Sequence, residues 1–78
     1  MARWLRFGSQ NEYLGQYEGQ RVPSSLPGDT WMLATPIRMF ELSLARLERT
    51  AAWEVAPLSP HKLKYDQVAD RIRVIKGA

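Results

Sequence analysis

The feature that most restricts this chain is the absence of cysteine in only 78 residues. Domains this short bury about 60% of the surface their unfolded chain exposes, so their stability is marginal. Nature usually reinforces them with disulfides, a metal or a partner subunit. Without cysteine, disulfides and thiolate zinc sites are excluded. The one histidine, His61, excludes a multi-histidine metal site. Two routes to stability remain: a well-packed core or burial against another chain. The apolar share of 45% suits a folded domain and argues against disorder. We therefore expect one domain over residues 1–78, with no cofactor and no metal.

The longest stretch that resembles a membrane span runs from Trp31 to Leu47, and Arg38, Glu41 and Arg46 interrupt it. A span needs roughly 18–20 clean apolar residues. The opening Met1-Ala2-Arg3-Trp4-Leu5-Arg6 places charge where a secretory signal would be apolar. Together with the lack of cysteine, this points to a cytoplasmic, intracellular protein without membrane contact.

Arg3-Trp4-Leu5-Arg6-Phe7 and Glu12-Tyr13-Leu14-Gly15-Gln16-Tyr17-Glu18 read as two strands of a hairpin turning at Ser9-Gln10-Asn11. Side chains alternate along a strand. Leu5 and Phe7 therefore share one face and Trp4 and Arg6 the other, while Tyr13 and Tyr17 are expected on a common face. Gly15 between them leaves room for a bulge or for a large neighbour such as Trp4. Pro23-Ser24-Ser25-Leu26-Pro27-Gly28-Asp29 is a loop, with Pro27-Gly28 suited to a type II turn.

Thr35 caps and Pro36 starts a helix expected to run to about Arg49. Ile37, Phe40, Leu44 and Leu47 form its apolar stripe, and we expect that stripe to face the sheet with Leu44 fully buried. Phe40, Leu42 and Leu44 also alternate as a strand would, but the length and the Leu, Ala, Glu and Arg content favour a helix. Trp53-Glu54-Val55-Ala56, stopped by Pro57, reads as a strand. Ser59-Pro60-His61 reads as a turn, and Arg71-Ile72-Arg73-Val74-Ile75 as the last strand. Tyr65 to Val68 begins a short helix or completes a long hairpin loop. The result is an α+β domain, one helix on a small antiparallel sheet in the order β-β-α-β-β. A small all-β barrel is the alternative.

Catalytic groups are sparse. His61 with Ser59 and Asp66 is the only combination that approaches a nucleophile–base set. A histidine in a surface turn is the simpler reading. Asp66 and Asp70 are four apart with no third ligand in view, and solvated charges explain them. Gly15-Gln16-Tyr17-Glu18-Gly19 lacks the Lys-Ser/Thr of a phosphate loop. An enzyme is not expected.

The aromatic residues are more telling. Trp4, Trp31 and Trp53 with Tyr13, Tyr17 and Tyr65 are many for this length. Such side chains suit protein interfaces, and beside Arg and Lys they suit stacking of nucleic-acid bases. The net charge is only +3, but its basic groups cluster at the two ends. Arg3 and Arg6 lie near one; His61, Lys62, Lys64, Arg71, Arg73 and Lys76 lie near the other, diluted by Asp66 and Asp70. A solvated, aggregation-resistant edge is the ordinary explanation. If the first and last strands are neighbours, Arg71 and Arg73 join Trp4 and Arg6 in one partner-binding surface.

Arg3-Trp4-Leu5-Arg6-Phe7, followed by Tyr13-Leu14-Gly15-Gln16-Tyr17-Glu18-Gly19-Gln20-Arg21-Val22, resembles the opening hairpin of fumarylacetoacetate-hydrolase-like enzymes. Ala56-Pro57-Leu58-Ser59-Pro60-His61-Lys62-Leu63 resembles the linker that follows it. The resemblance implies that the catalytic, metal-binding domain would lie beyond this chain's end, so it implies no activity for these residues.

The sequence thus leads to a small non-enzymatic protein-binding module, an accessory subunit or inhibitor that occupies a surface on a larger partner. The alternative is a nucleic-acid-binding domain using Trp4, Arg6, Arg71 and Arg73. A homo-oligomer is compatible with either.

Overall fold

The computed structural model describes residues 2–21 and 28–77. It is an α+β domain with five strands and one helix: β1 (Ala2–Phe7), β2 (Tyr13–Gly19), β3 (Thr30–Leu33), α1 (Pro36–Val55), β4 (His61–Asp66) and β5 (Arg71–Lys76). The strands make two antiparallel sheets, one ordered β2-β1-β3 and the other the β4-β5 hairpin. They are not the single four-stranded sheet expected, and no barrel closes among the described residues.

The first hairpin forms as its alternation predicts. Gly8 and Asn11 close its turn through Gly8 N–H to the Glu12 carbonyl and Asn11 N–H to the Gly8 carbonyl, both 2.9 Å. Asn11 takes φ of 62°, a left-handed conformation that asparagine tolerates well. The register then slips by one residue: Arg6 faces Gly15, but Phe7 faces Tyr13. Leu14 is the extra residue of a β-bulge, and Gly15 beside it takes φ of 149°, which a residue with a Cβ rarely adopts. Of the two readings of Gly15, the bulge is therefore present, while no large neighbour fills the space beside it. It also overturns the expectation for the tyrosines, because one inserted residue exchanges the faces of a strand. Tyr13 lies against Phe7 inside, whereas Tyr17 lies opposite Trp4 outside.

β3 escaped the sequence reading because it is four residues long and has no alternation of its own. It pairs with the open side of β1, Trp4 facing Leu33 and Arg6 facing Trp31. The expected type II turn at Pro27-Gly28 falls largely outside the described residues, although Gly28 has the positive φ, 91°, that it required.

Thr35 caps α1 as expected, its Oγ1 accepting the Arg38 N–H at 3.2 Å. The helix continues past Arg49 to Val55, so Trp53-Glu54-Val55 is its last turn and not a strand. Ala51 and Ala52 propagate a helix well, and Pro57 stops either element by forcing the preceding residue into extended backbone. Ala56 accordingly has φ −135° and ψ 90°. The Trp53 indole fastens this end by donating to the Ser59 carbonyl at 2.9 Å.

Residues 61–66, expected as a turn and a short helix or loop, form β4, paired with β5 from His61–Lys76 to Asp66–Arg71. The two sheets touch where Glu12 bridges Lys64 and the Tyr65 N–H donates to the Asn11 carbonyl at 2.9 Å. The core between sheets and helix consists of Leu5, Phe7, Leu42, Ala45, Leu63 and Ile72, with Tyr13, Met32, Met39, Tyr65 and Val74 packed around it.

The helix presents the opposite face from the one its periodicity suggested. Leu42 and Ala45 are buried, while Ile37, Phe40, Leu44 and Leu47 face solvent. Polar anchors decide this. Glu41 Oε1 accepts the Ile72 N–H at 3.2 Å, and Arg38 reaches the Asp70 carbonyl at 2.9 Å and its carboxylate at 2.7 Å. Arg38, Arg46 and Arg49 lie over Tyr65, Tyr13 and Trp53, with guanidinium-to-ring distances of 5.4, 5.8 and 4.8 Å. Small Ala45 admits close approach of the backbone, and the arginine stems cover rings that a second row of leucines would otherwise cover.

Candidate functional site: the outer face of the three-stranded sheet

Leu5 and Phe7 point into the core, so the alternate residues of β1 point away from it. Trp4 and Arg6 are therefore on the outer face, as the alternation predicts. Across β1 they meet Tyr17 and Gly15 of β2 and Leu33 and Trp31 of β3. The face carries three aromatic rings. Tyr17 and Trp31 pack edge to face with centroids 6.0 Å apart, and the Trp4 indole donates to the Gly19 carbonyl at 3.2 Å. Tyr17 and Leu33 are exposed, and Trp4 and Trp31 are half-buried. The Trp31 Nε1 is buried with no hydrogen-bond partner among the described residues.

Arg6 lies in the middle of these rings but its charge is compensated. Its Nε donates to Asp29 Oδ2 at 2.9 Å, its Nη2 binds the same oxygen, and its guanidinium lies 5.7 Å from the Trp31 ring. The Asp29 side chain is only 8% exposed, so the pair is largely shielded from solvent. Arg3 points to the other side of β1, with Leu5 and Phe7, and forms an exposed pair with Glu18 at 2.8 Å.

Arg71 and Arg73 do not join this face. β1 has β2 and β3 as its neighbours, and β5 pairs with β4 in the other sheet. Both arginines are exposed there, opposite in direction to buried Ile72, and Arg73 pairs with Asp66 at 3.2 Å. The four residues expected to form one surface thus form two separate places on the molecule. Tyr17 and Trp31, which complete the aromatic face, stand among the interface aromatics of the sequence, but the bulge and the short strand that bring them here leave almost no periodic signal.

The groups weighed for catalysis have structural partners. His61 Nδ1 is 2.7 Å from Ser59 Oγ, but Asp66 ends the same strand five residues on, roughly 17 Å away at extended rise. Asp66 receives the Val68 and Ala69 N–H groups at 3.0 and 3.1 Å and closes the β4–β5 turn. The Ala69 N–H foremost, with Val68 and Arg73, holds its carboxyl below the ordinary 3.8. The Tyr65 hydroxyl donates to Asp70 at 2.5 Å and, with Arg38, holds that carboxyl low; the same bond raises the Tyr65 phenol. An open cleft of about 440 Å³ between the end of α1 and β4 is lined by Glu12, Tyr13, Arg49, Trp53, His61 and Lys62. Among the described residues, no group of three or more metal-ligating side chains occurs and no helix is long and apolar enough to cross a membrane.

Compared with protein-family models, curated proteins and solved structures, the chain matches none. The functional reading rests on its own residues, and the likeness of the first hairpin to a hydrolase family contributes nothing to it.

Proposed function

We propose that this chain is a non-enzymatic protein-binding module that occupies an apolar, nearly uncharged surface on a larger protein, as an accessory subunit or an inhibitor does. The observation that carries the reading is the outer sheet face, where Trp4, Tyr17 and Trp31 surround an arginine already neutralised by Asp29. Large rigid aromatics give contact area at little conformational cost, and an internally paired charge asks for no countercharge. The nucleic-acid alternative has less support, because phosphate binding needs free cations near the stacking rings. Here Arg6 is paired with Asp29, Arg3 points to the other side of β1 and is paired with Glu18, and Arg71 and Arg73 belong to the other sheet.

Tagged chain is used to capture partners from the native host's lysate, beside Trp4→Ala and Tyr17→Ala variants whose folding is verified by circular dichroism. The reading expects one protein retained by the parent and lost from both variants, with affinity changed only modestly when salt is doubled. Retention unaffected by either variant would falsify the assignment of this face. A captured oligonucleotide whose binding falls severalfold on doubling the salt would establish the nucleic-acid alternative instead.

A further inference from the structure

The solvent side of α1 carries a row of exposed apolar side chains. Ile37 is 70% exposed, Phe40 64%, Leu44 38% and Leu47 68%, and the row continues through Ala51 to Val55 at 89%. The helix's basic side chains turn the other way, over Tyr65, Tyr13 and Trp53. Only Ser43, Thr50, Glu48 and Glu54 border the row, so no cation lies along it.

We propose that this face pairs with the same face of a second copy of the chain, the two helices antiparallel, in a two-fold symmetric interface. The spacing selects that occupant. The intervals from Ile37 to Phe40, Leu44 and Leu47 are three, four and three, and they read the same in either direction. With the helices reversed, Ile37 meets the second copy's Leu47 and Phe40 meets its Leu44. Each large apolar side chain finds another, as an isologous interface requires. The alternating three and four also suits helices packed at about 20°.

The charges agree with the same register. Glu48 comes level with the second copy's Pro36, the first residue of its helix, where the helix dipole favours an anion. In a parallel pair Glu48 would instead come level with its own copy. The area suits a weak dimer. The four side chains expose on the order of 500 Å², near the upper end of what monomers leave uncovered. At this register the helices overlap over residues 36–48, so Ala51 and Val55 lie beyond the second copy's helix start and the pair stays below the roughly 800 Å² per partner of a standard interface. This surface is separate from the aromatic sheet face, and neither proposal depends on the other.

The test is sedimentation equilibrium of the whole chain from micromolar to near-millimolar concentration. A mass of twice 9.0 kDa is expected at the upper end. Phe40→Ser and Leu47→Ser should each weaken association at least tenfold with an unchanged circular dichroism spectrum, since both side chains are exposed. A strict monomer throughout, or a dimer indifferent to both substitutions, overturns the proposal. The native chain has no thiol, so Ile37→Cys and Leu47→Cys each introduce a single one. Mixed and oxidised, the two variants should form chiefly the disulfide between unlike chains. Predominant linkage of Ile37→Cys chains to each other overturns the antiparallel register.

Discussion

Leu42 and Leu44 lie two residues apart on α1 and face opposite ways, Leu42 without exposed surface in the core and Leu44 38% exposed toward solvent. Two residues advance a helix by about 200°, so one of any such pair is turned out. Leu42→Ala removes buried methyl groups from between Leu5, Phe7, Leu63 and Ile72 and is expected to cost ~2–5 kcal/mol. Leu44→Ala, measured on dilute protein, should cost under ~1 kcal/mol. Urea unfolding of both variants checks the pair, and the reverse order of losses would place the helix the other way round.

Gly15 is held at φ 149° with nothing within 4 Å of the position a Cβ would take. Gly15→Ala therefore meets backbone strain and no collision, with an expected loss of about 1 kcal/mol or more. The bulge sets the face of Tyr17, so the variant should also change the Tyr17–Trp31 packing, seen in near-ultraviolet circular dichroism. A neutral effect on both stability and spectrum would remove the role given to the glycine.

Arg6 and Asp29 form the one ion pair on the outer face with a largely buried member among the described residues. Truncating the arginine leaves a shielded carboxylate without its counterion, so Arg6→Ala should cost more than Arg3→Ala, whose exposed partner Glu18 returns to water. The variant Arg6→Met with Asp29→Leu removes both charges and should recover part of that loss. Thermal melts of the single and double variants decide the matter, and simple additivity in the double variant would show that the two charges do not interact.

Asp66 and Asp70 both have carboxyls held below 3.8 in the folded chain. A depressed folded value means the unfolded state takes up protons first on acidification. The stabilisation is present above 3.8 and is lost as pH falls through the lower folded values. Tyr65 shifts the other way, raised above 10.0, so its contribution is present below 10.0 and is lost as pH rises through the folded value. Unfolding free energy should thus decline at both extremes of pH, and Tyr65→Phe should move the Asp70 carbon-13 titration upward. An Asp70 midpoint that stays put in that variant would show that the hydroxyl bond does not set it.

Much of this architecture was legible in the residues. Alternation along Arg3–Phe7 put Leu5 and Phe7 inside and Trp4 and Arg6 outside, Thr35-Pro36 marked the helix start, and Gly15 marked the bulge. These features are local: they depend on strand pleat, on a free N–H at a helix end and on the conformational range of one residue. Tertiary structure decided the rest. The face of α1 depended on Glu41 meeting the Ile72 N–H and Arg38 meeting Asp70, thirty or so residues away, contacts that no periodicity within the helix encodes. The Ser59 carbonyl fixes the Trp53 indole at the helix end, and β3 and β4 pair along backbone that β1 and β5 offer beside them. Arg71 and Arg73 parted from Trp4 and Arg6 because the last strand paired with its own hairpin partner and not with the first. Sequence by itself specified what each segment prefers, since those preferences act over a few residues. Which faces met, and therefore which apolar rows stayed in water, was set by partners distant along the chain.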